Sequence, residues 1–218
     1  MRYQELSTRK YDSIIHHLDT ETFEQFTLAT RETKWKRHTW KGLTLMKDPM
    51  SLSIYTQLFQ EIKPKTIIEF GTYDGGSALW FRDMLTSLRI ETEVHTFDIN
   101  KPNLGVLTEN NIHFHQLDNH RIKEYISNNN DFFKKLAHPI IMIEDSHENF
   151  CEVVRSLNPF LINGDYLIIE DTIQRSKHKQ MYECLQKMNY LVDTYYCDLW
   201  GNNNSWNINS ILTKTNNN

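Results

Sequence analysis

Five apolar stretches of this chain stop at acids. KTIIEF carries Glu69 beside its last residue, EVHTFDI ends around Asp98, and IHFHQL precedes Asp118. PIIMIED ends on Glu144-Asp145 and DYLIIED on Glu170-Asp171, and His147 follows two residues after Asp145. Carboxylates offer oxygen lone pairs that can bond ribose hydroxyls or hold a hard cation, and an imidazole beside them can take up a proton near neutral pH. These groups work together only if the fold brings the five stretches side by side.

The surrounding pattern predicts that it does. The five stretches, with YLVDTYY and WNINSILTK, are strand-length and rich in β-branched and aromatic residues. Between most of them lie segments of helical length: SALWFRDMLTSL, NHRIKEYISN, HENFCEVVRSL and KHKQMYECLQKM. Strand–helix alternation argues for an α/β fold, a mostly parallel, Rossmann-like sheet covered on both faces to make three layers. The polar, asparagine-rich connection between the last two strands holds no helix, so they are expected to pair antiparallel at the sheet edge. Ligands of such sheets gather outside the carboxyl ends of the strands, where the acids fall.

Upstream, Tyr11, Ile14, Ile15 and Leu18, then Phe23, Phe26 and Leu28, recur at roughly helical spacing and predict two short helices broken near Asp19-Thr20. TKWKRHTWKGLTLMKDP follows, a basic and aromatic loop expected to pack against the core because Trp35 and Trp40 are costly to leave in water. A helix from about Pro49 to Ile62 comes next. Residues 1–48 are thus expected to pack on a core of residues 49–218 within one compact domain.

The 218 residues carry a net charge of −4 with both signs spread along the chain, which gives no electrostatic footprint for nucleic acid or a membrane surface. The longest apolar runs are strand-length and the N-terminus is polar, so neither a transmembrane span nor a secretory signal is expected. Cys151, Cys184 and Cys197 lack metal-site or disulfide-framework spacing, and a reducing cytoplasm is the expected setting. A homo-oligomer is compatible with this composition. Asparagine clusters at 128–130, 202–204 and 216–218 read as turns and a frayed C-terminus.

Three loops compete for GTYDGGS, between the first of the sheet strands and the helix after it. A Walker loop needs a Gly-Lys-Ser/Thr ending, and no lysine stands before Ser77. A dinucleotide fingerprint needs a glycine where Tyr73 stands, so that backbone can approach the pyrophosphate; this argues against an NAD-dependent oxidoreductase. The class I methyltransferase loop, acid-x-Gly-x-x-x-Gly, matches Glu69-Phe70-Gly71-Thr72-Tyr73-Asp74-Gly75. Gly71 supplies the turn, Gly75-Gly76 let the helix starting near Ser77 begin close to the ligand, and Asp98 is the expected partner of the ribose hydroxyls. The cofactor so indicated is S-adenosylmethionine, held by Glu69, Gly71, Thr72, Tyr73, Gly75, Ser77, Asp98, Asp118 and Asp145.

With those residues in hand, the chain resembles the cephalosporin-hydroxylase-like branch of class I methyltransferases, which is similar to rhamnosyl and macrolide-sugar O-methyltransferases. The resemblance rests on Trp40-Lys41-Gly42, Lys47-Asp48-Pro49, the glycine loop with Ser77-Ala78-Leu79, and Phe97-Asp98-Ile99. It continues through Asp145-Ser146-His147 and Gly164-Asp165-Tyr166-Leu167-Ile168-Ile169-Glu170-Asp171. It implies a methyltransferase fold, often with a divalent metal, and the word hydroxylase does not describe the chemistry. Three features depart from the pattern. The histidine after the fourth of these strands typically lies three residues past the acid, which here points to Glu144. The segment after Glu170-Asp171 is short, and Ser51 stands where an acid is expected.

Magnesium prefers hard oxygens and keeps several waters, so Glu144 or Asp145 together with Glu170 and Asp171 could supply half its shell. It would bind two substrate oxygens and lower the pKa of the attacking hydroxyl. His147, with Asp145, is the candidate catalytic pair, taking the proton as the hydroxyl attacks the methyl group. The expected activity is therefore a magnesium-dependent O-methyltransferase acting on a small hydroxylated molecule: a sugar, natural-product scaffold or catechol. The rival reading is a non-catalytic cofactor-binding module that regulates or scaffolds a partner. His17-Leu18-Asp19 has iron-oxygenase spacing but lies outside the predicted sheet, and His113 with His115 reads as packing rather than metal. Asp118 could accept from the adenine amino group, and Lys34, Lys36, Arg37 and Lys41 read as a solvated face.

Overall fold

The computed structural model describes residues 1–17 and 38–216. Leu18, Asp19, Phe23, Phe26, Leu28, Lys34, Trp35, Lys36 and Arg37 lie outside the described residues, so most of the expected N-terminal helices do too. What precedes them differs from expectation. Tyr3–Gln4 is a strand, β1, followed by single 3-10 turns at Leu6–Thr8 and Ile14–His17. Tertiary pairing overrides local spacing here: β1 lies antiparallel on β9 (Tyr190–Asp193), and Arg2 reaches Asp193 at 2.8 Å and Glu61 at 2.7 Å.

Helix α1, Pro49–Ile62, forms where expected, for local reasons. Asp48 Oδ1 accepts from the backbone N–H groups of Met50 and Ser51 at 3.0 Å each, Pro49 opens the first turn, and Lys63 ends the helix in the left-handed conformation. Ile54, Tyr55, Leu58 and Phe59 are its buried apolar stripe.

The sheet strands are β4 (Thr66–Phe70), β5 (Glu93–Asp98), β6 (Ile112–Gln116), β7 (Ile140–Glu144), β8 (Tyr166–Ile169), β9 and β10 (Ile211–Lys214). Their order is β1-β9-β10-β8-β7-β4-β5-β6. Pairs β8–β7, β7–β4, β4–β5 and β5–β6 are parallel, while β10 runs antiparallel to both β8 and β9. The last two strands pair as expected, with β10 set one strand further in. YLVDTYY turns at Asp193 into the short helix α8, Thr194–Cys197, because the Asp193 side chain accepts from the Tyr195 N–H. Every residue of β4, β7 and β8 is buried, as expected of strands covered on both faces.

Around the sheet lie α2 (Gly76–Ser87), α3 (Leu104–Glu109), α4 (Ile122–Asn128), α5 (Asn130–Lys134), α6 (Phe150–Leu157) and α7 (Arg175–Leu185). Helix α3 has no counterpart in the sequence reading; Asn103 caps it by accepting from Gly105 N–H. Trp40 sits in a hairpin, β2 (Thr39–Trp40) and β3 (Leu43–Thr44), whose turn residues Lys41 and Gly42 both have positive φ. Its indole N–H donates to Asp83 on α2 at 2.6 Å, which is how this part of the expected aromatic loop packs. Among the described residues no helix is long and apolar enough to cross a membrane.

The strand order reverses at β4: β5 and β6 lie to one side, β7 and β8 to the other. The loops after β4, β5 and β7 therefore open around a crevice at the carboxyl end of the sheet.

Candidate active site

That crevice is a cleft of about 1000 Å³. The loop after β4 lines it with Gly71, Thr72 and Tyr73, the loop after β5 with Asp98 and Ile99, and the β6 loop with Asp118. The loop after β7 contributes Asp145, Ser146 and His147, and the loop after β8 contributes Asp171 and Ile173. Ser77 from α2 and Trp206 also face it. Seven of the expected cofactor residues thus meet in one cleft: Gly71, Thr72, Tyr73, Ser77, Asp98, Asp118 and Asp145.

Glu69 and Gly75 do not line it, and their chemistry is supportive. Glu69 is fully buried, accepting from Ser77 Oγ at 2.5 Å and from Thr96 Oγ1 at 2.8 Å, while Thr96 also bonds Thr72 at 2.7 Å. Burial pushes its carboxyl up to about 7, against the opposing pull of Lys47 and the two hydroxyls. The glycine pair serves close packing between elements, a different reason from room for ligand. A Cβ on Gly76 would lie 2.0 Å from the Thr44 carbonyl oxygen of β3, and one on Gly75 would lie 2.9 Å from Leu107 of α3.

Asp98 is held by the backbone of two loops. Its Oδ2 accepts from Tyr73 N–H and its Oδ1 from Asn100 N–H, both at 2.9 Å. Each oxygen keeps a further lone pair for a ligand hydroxyl. Tyr73 itself has φ +46 and an exposed side chain. Asp118 caps the 3-10 turn after β6 by accepting from His120 N–H at 2.9 Å.

The four candidate metal acids divide. Asp145, His147 and Asp171 bring ligand atoms within 4.8 Å of one another. Glu144 and Glu170 turn away into the protein, at 0% and 3% exposure. Glu144 Oε1 accepts from the N–H and the hydroxyl of Ser146, at 3.1 and 2.6 Å. Glu170 accepts from the Tyr55 hydroxyl and lies 3.4 Å from Lys47 Nζ. His147 Nε2 is 3.3 Å from Asp171 Oδ2 and 3.8 Å from Asp145 Oδ1.

Both His147, at φ +63, and Asp171, at φ +58, occupy the left-handed region, a backbone cost of roughly 1–3 kcal/mol each. Neighbouring bonds hold Asp171 there: its N–H donates to Asn207 Oδ1 at 3.2 Å and its carbonyl accepts from Gln174 N–H at 3.0 Å. Burial, with the charges of Asp145 and Glu170, pushes its carboxyl up to about 7 despite Lys47 and Lys177.

Two buried lysines were not singled out from the sequence. Lys47 donates to Asp145 and neighbours Glu170. Burial opposes its charge, but Asp145, Glu170 and Glu69 hold its pKa above the ordinary value. Lys177, on α7, lies 3.1 Å from Glu144 Oε2 and 3.2 Å from His147 Nδ1. Lys47 belonged to a quoted motif and could have been found there; Lys177 gave no signal beyond its place in a helix.

The remaining candidates resolve as packing or surface. His17 bonds Asp12 at 3.0 Å, on the surface and away from the cleft. His115 bonds His95 at 3.1 Å, stacks on Phe97, and is pushed down to about 4 by burial. Lys41 pairs with Asp83. Ser51, standing where an acid is expected, donates its hydroxyl to Asp48 Oδ2 at 2.5 Å.

Residues 32–186 match the rhamnosyl O-methyltransferase/CmcI family. The rhamnosyl O-methyltransferase of Mycobacterium leprae (strain TN) is 27% identical over 141 residues, which cover 63% of this chain and 62% of that protein. The one from Mycobacterium bovis (strain BCG / Pasteur 1173P2) is 26% identical over 63% of this chain and 58% of its own length. The chain thus spans less than two thirds of these curated relatives. An apo-structure of CmcI superposes with a TM-score of 0.68 at 25% identity, covering 99% of this chain and 91% of that one. A CmcI structure with SAH gives 0.67 at 25% identity, covering 99% and 100%. The mostly parallel sheet with its reversed strand and the resemblance read from the motifs are both borne out: the chain belongs to the rhamnosyl O-methyltransferase/CmcI family.

Proposed function

We propose that this chain transfers a methyl group from S-adenosylmethionine to a hydroxyl of a small molecule, a sugar or natural-product scaffold, with magnesium bound beside the reacting oxygen. The observation that carries this reading is one cleft with two chemically different sets of groups. Gly71, Thr72, Tyr73 and Asp98 line it, and Asp145, His147 and Asp171 bring their ligand atoms together in the same cleft. A volume of about 1000 Å³ suits a nucleoside-sized cofactor with a small acceptor beside it. CmcI, related over nearly the whole chain, has been solved with SAH, the product this reaction would leave.

In this reading Asp98 receives the ribose hydroxyls, and the narrow turn at Gly71 leaves room for the methionine part of the cofactor. The acceptor oxygen attacks the sulfonium methyl carbon in line; the new C–O bond forms as the C–S bond breaks, and its electron pair stays on sulfur. The acceptor's proton passes to the Asp171 carboxylate, beside which His147 stands. The carboxylates of Asp145 and Asp171 are the hard-oxygen donors that fit magnesium, which keeps water in its remaining positions. When bound, that ion would hold acceptor oxygens and lower the pKa of the attacking hydroxyl.

Titration calorimetry with S-adenosylmethionine, with and without magnesium, tests the reading. No binding in either condition refutes it, and binding indifferent to magnesium leaves a metal-free methyltransferase. Asp171→Ala is expected to abolish magnesium-dependent turnover while cofactor affinity stays nearly intact. Equal loss of cofactor binding would make the carboxylate structural.

A further inference from the structure

Lys177 stands where helix chemistry disfavours it. It is the third residue of α7, and a cation in the first turn opposes the helix dipole. It is also 6% exposed, and a buried ammonium is costly unless neighbouring groups compensate it. The compensation comes from β7, its loop and the first residue of α6: Glu144 Oε2 at 3.1 Å, His147 Nδ1 at 3.2 Å, and the Phe150 ring 5.6 Å from Nζ. Glu144 alone would explain a charge-neutralising lysine. The contact with His147 is a second, separate fact.

An ammonium has donors and no acceptor, so the imidazole nitrogen facing it must present a lone pair. We propose that Lys177 is a positioning residue for methyl transfer, donating to His147 Nδ1 so that the neutral ring carries its hydrogen on Nε2, the nitrogen that neighbours Asp171. Nε2 lies 3.3 Å from Asp171 Oδ2, an ion-pair distance. With its hydrogen on Nε2 the ring turns no lone pair toward Asp145 and Asp171, so it does not act as a metal ligand while Lys177 holds Nδ1. The metal-facing atoms of the cluster reduce to carboxylate oxygens, a set better matched to magnesium than to a softer ion. The same contact links α7 to the loop after β7. The catalytic consequence rests on the methyltransferase reading; the ring chemistry does not.

The test is nitrogen NMR of the full chain labelled with 15N-histidine, at about pH 8, with His147 assigned by the signal lost in His147→Gln. The expected wild-type ring shows a hydrogen-free Nδ1 and a hydrogen-bearing Nε2. Lys177→Met alone would strand the buried Glu144 carboxylate and threaten folding. The working variant is therefore Glu144→Gln with Lys177→Met, which keeps the pocket neutral, and Lys177→Arg is the conservative control. In the double variant the hydrogen is expected to distribute over both nitrogens. Its kcat should fall roughly 10- to 100-fold at unchanged cofactor affinity, and Lys177→Arg should restore the Nε2–H signature. Hydrogen on Nδ1 in the wild type, or an unchanged ring in the double variant, overturns the proposal. If the wild type transfers no methyl group, the functional reading fails, and the nitrogen spectra still decide the role of Lys177.

Discussion

Replacing Glu69 with glutamine isolates how the cofactor loop is held. The carboxylate sits fully buried in β4 beneath the glycine loop, and burial pushes it from the ordinary 4.5 to about 7. Between those values the folded protein keeps a proton that the unfolded chain has released. Stability contributed by this group is therefore fully present below pH 4.5, falls as pH rises, and is lost above about pH 7. At about 1.4 kcal/mol per tenfold change in proton affinity, the gap is worth roughly 3 kcal/mol at most. Glutamine has the same shape: its oxygen can accept from Ser77, and its NH2 can donate to Thr96, whose hydroxyl then turns toward Thr72. Urea unfolding at intervals from pH 4.5 to 7.5 is the assay. Across that range the wild type should lose roughly 2–3 kcal/mol more than Glu69→Gln. Asp171, also raised to about 7, adds a slope common to both proteins and cancels in the difference. Parallel curves would refute the reasoning and make Glu69 a carboxylate that stays charged through the window.

Two further substitutions probe the cleft. Gly71 has φ +104, and a Cβ there would lie 2.7 Å from the Asp145 carbonyl carbon and oxygen; Gly71→Ala should cost ~2–5 kcal/mol in denaturant unfolding, and a loss below about 1 kcal/mol would mean the two loops part easily. Asp98→Asn should weaken S-adenosylmethionine binding roughly 10- to 100-fold by calorimetry, as expected for losing charge-assisted bonds, and unchanged affinity would remove Asp98 from the site.

Features carried by local sequence were legible. The α1 boundaries follow from Asp48, Pro49 and the buried stripe, all within one segment. The parallel strands follow from apolar runs buried on both faces, and the GTYDGGS loop from its glycines, of which Gly71 and Gly75 have φ of +104 and +89. Features set by distant partners were not. β1 is two residues long and exists because β9 offers an edge and Asp193 offers Arg2 a carboxylate. Thr194–Cys197 has the composition of a strand, yet Asp193 caps it as a helix. The glycine pair was legible as a loop but not for its purpose, because Thr44 and Leu107, which require it, come from β3 and α3.

The same distinction explains the acids. From sequence, Glu144 and Asp145 are equivalent: one sits three residues before His147 and the other two. β7 ends at Glu144, whose side chain faces the interior, while Asp145 and His147, in the loop that follows, line the cleft. A buried carboxylate needs a cation, and Lys177 supplies it; Glu170 and Asp145 need another, and Lys47 supplies that. The spacing of three from Glu144 to His147 is thus not a contact between those two side chains but one bridged by Lys177, which touches both. Five strands ending in acids form a usable site only because two lysines from outside the parallel sheet divide the charge. They leave Asp145 and Asp171 turned toward the cleft, where a metal and an acceptor hydroxyl could meet them.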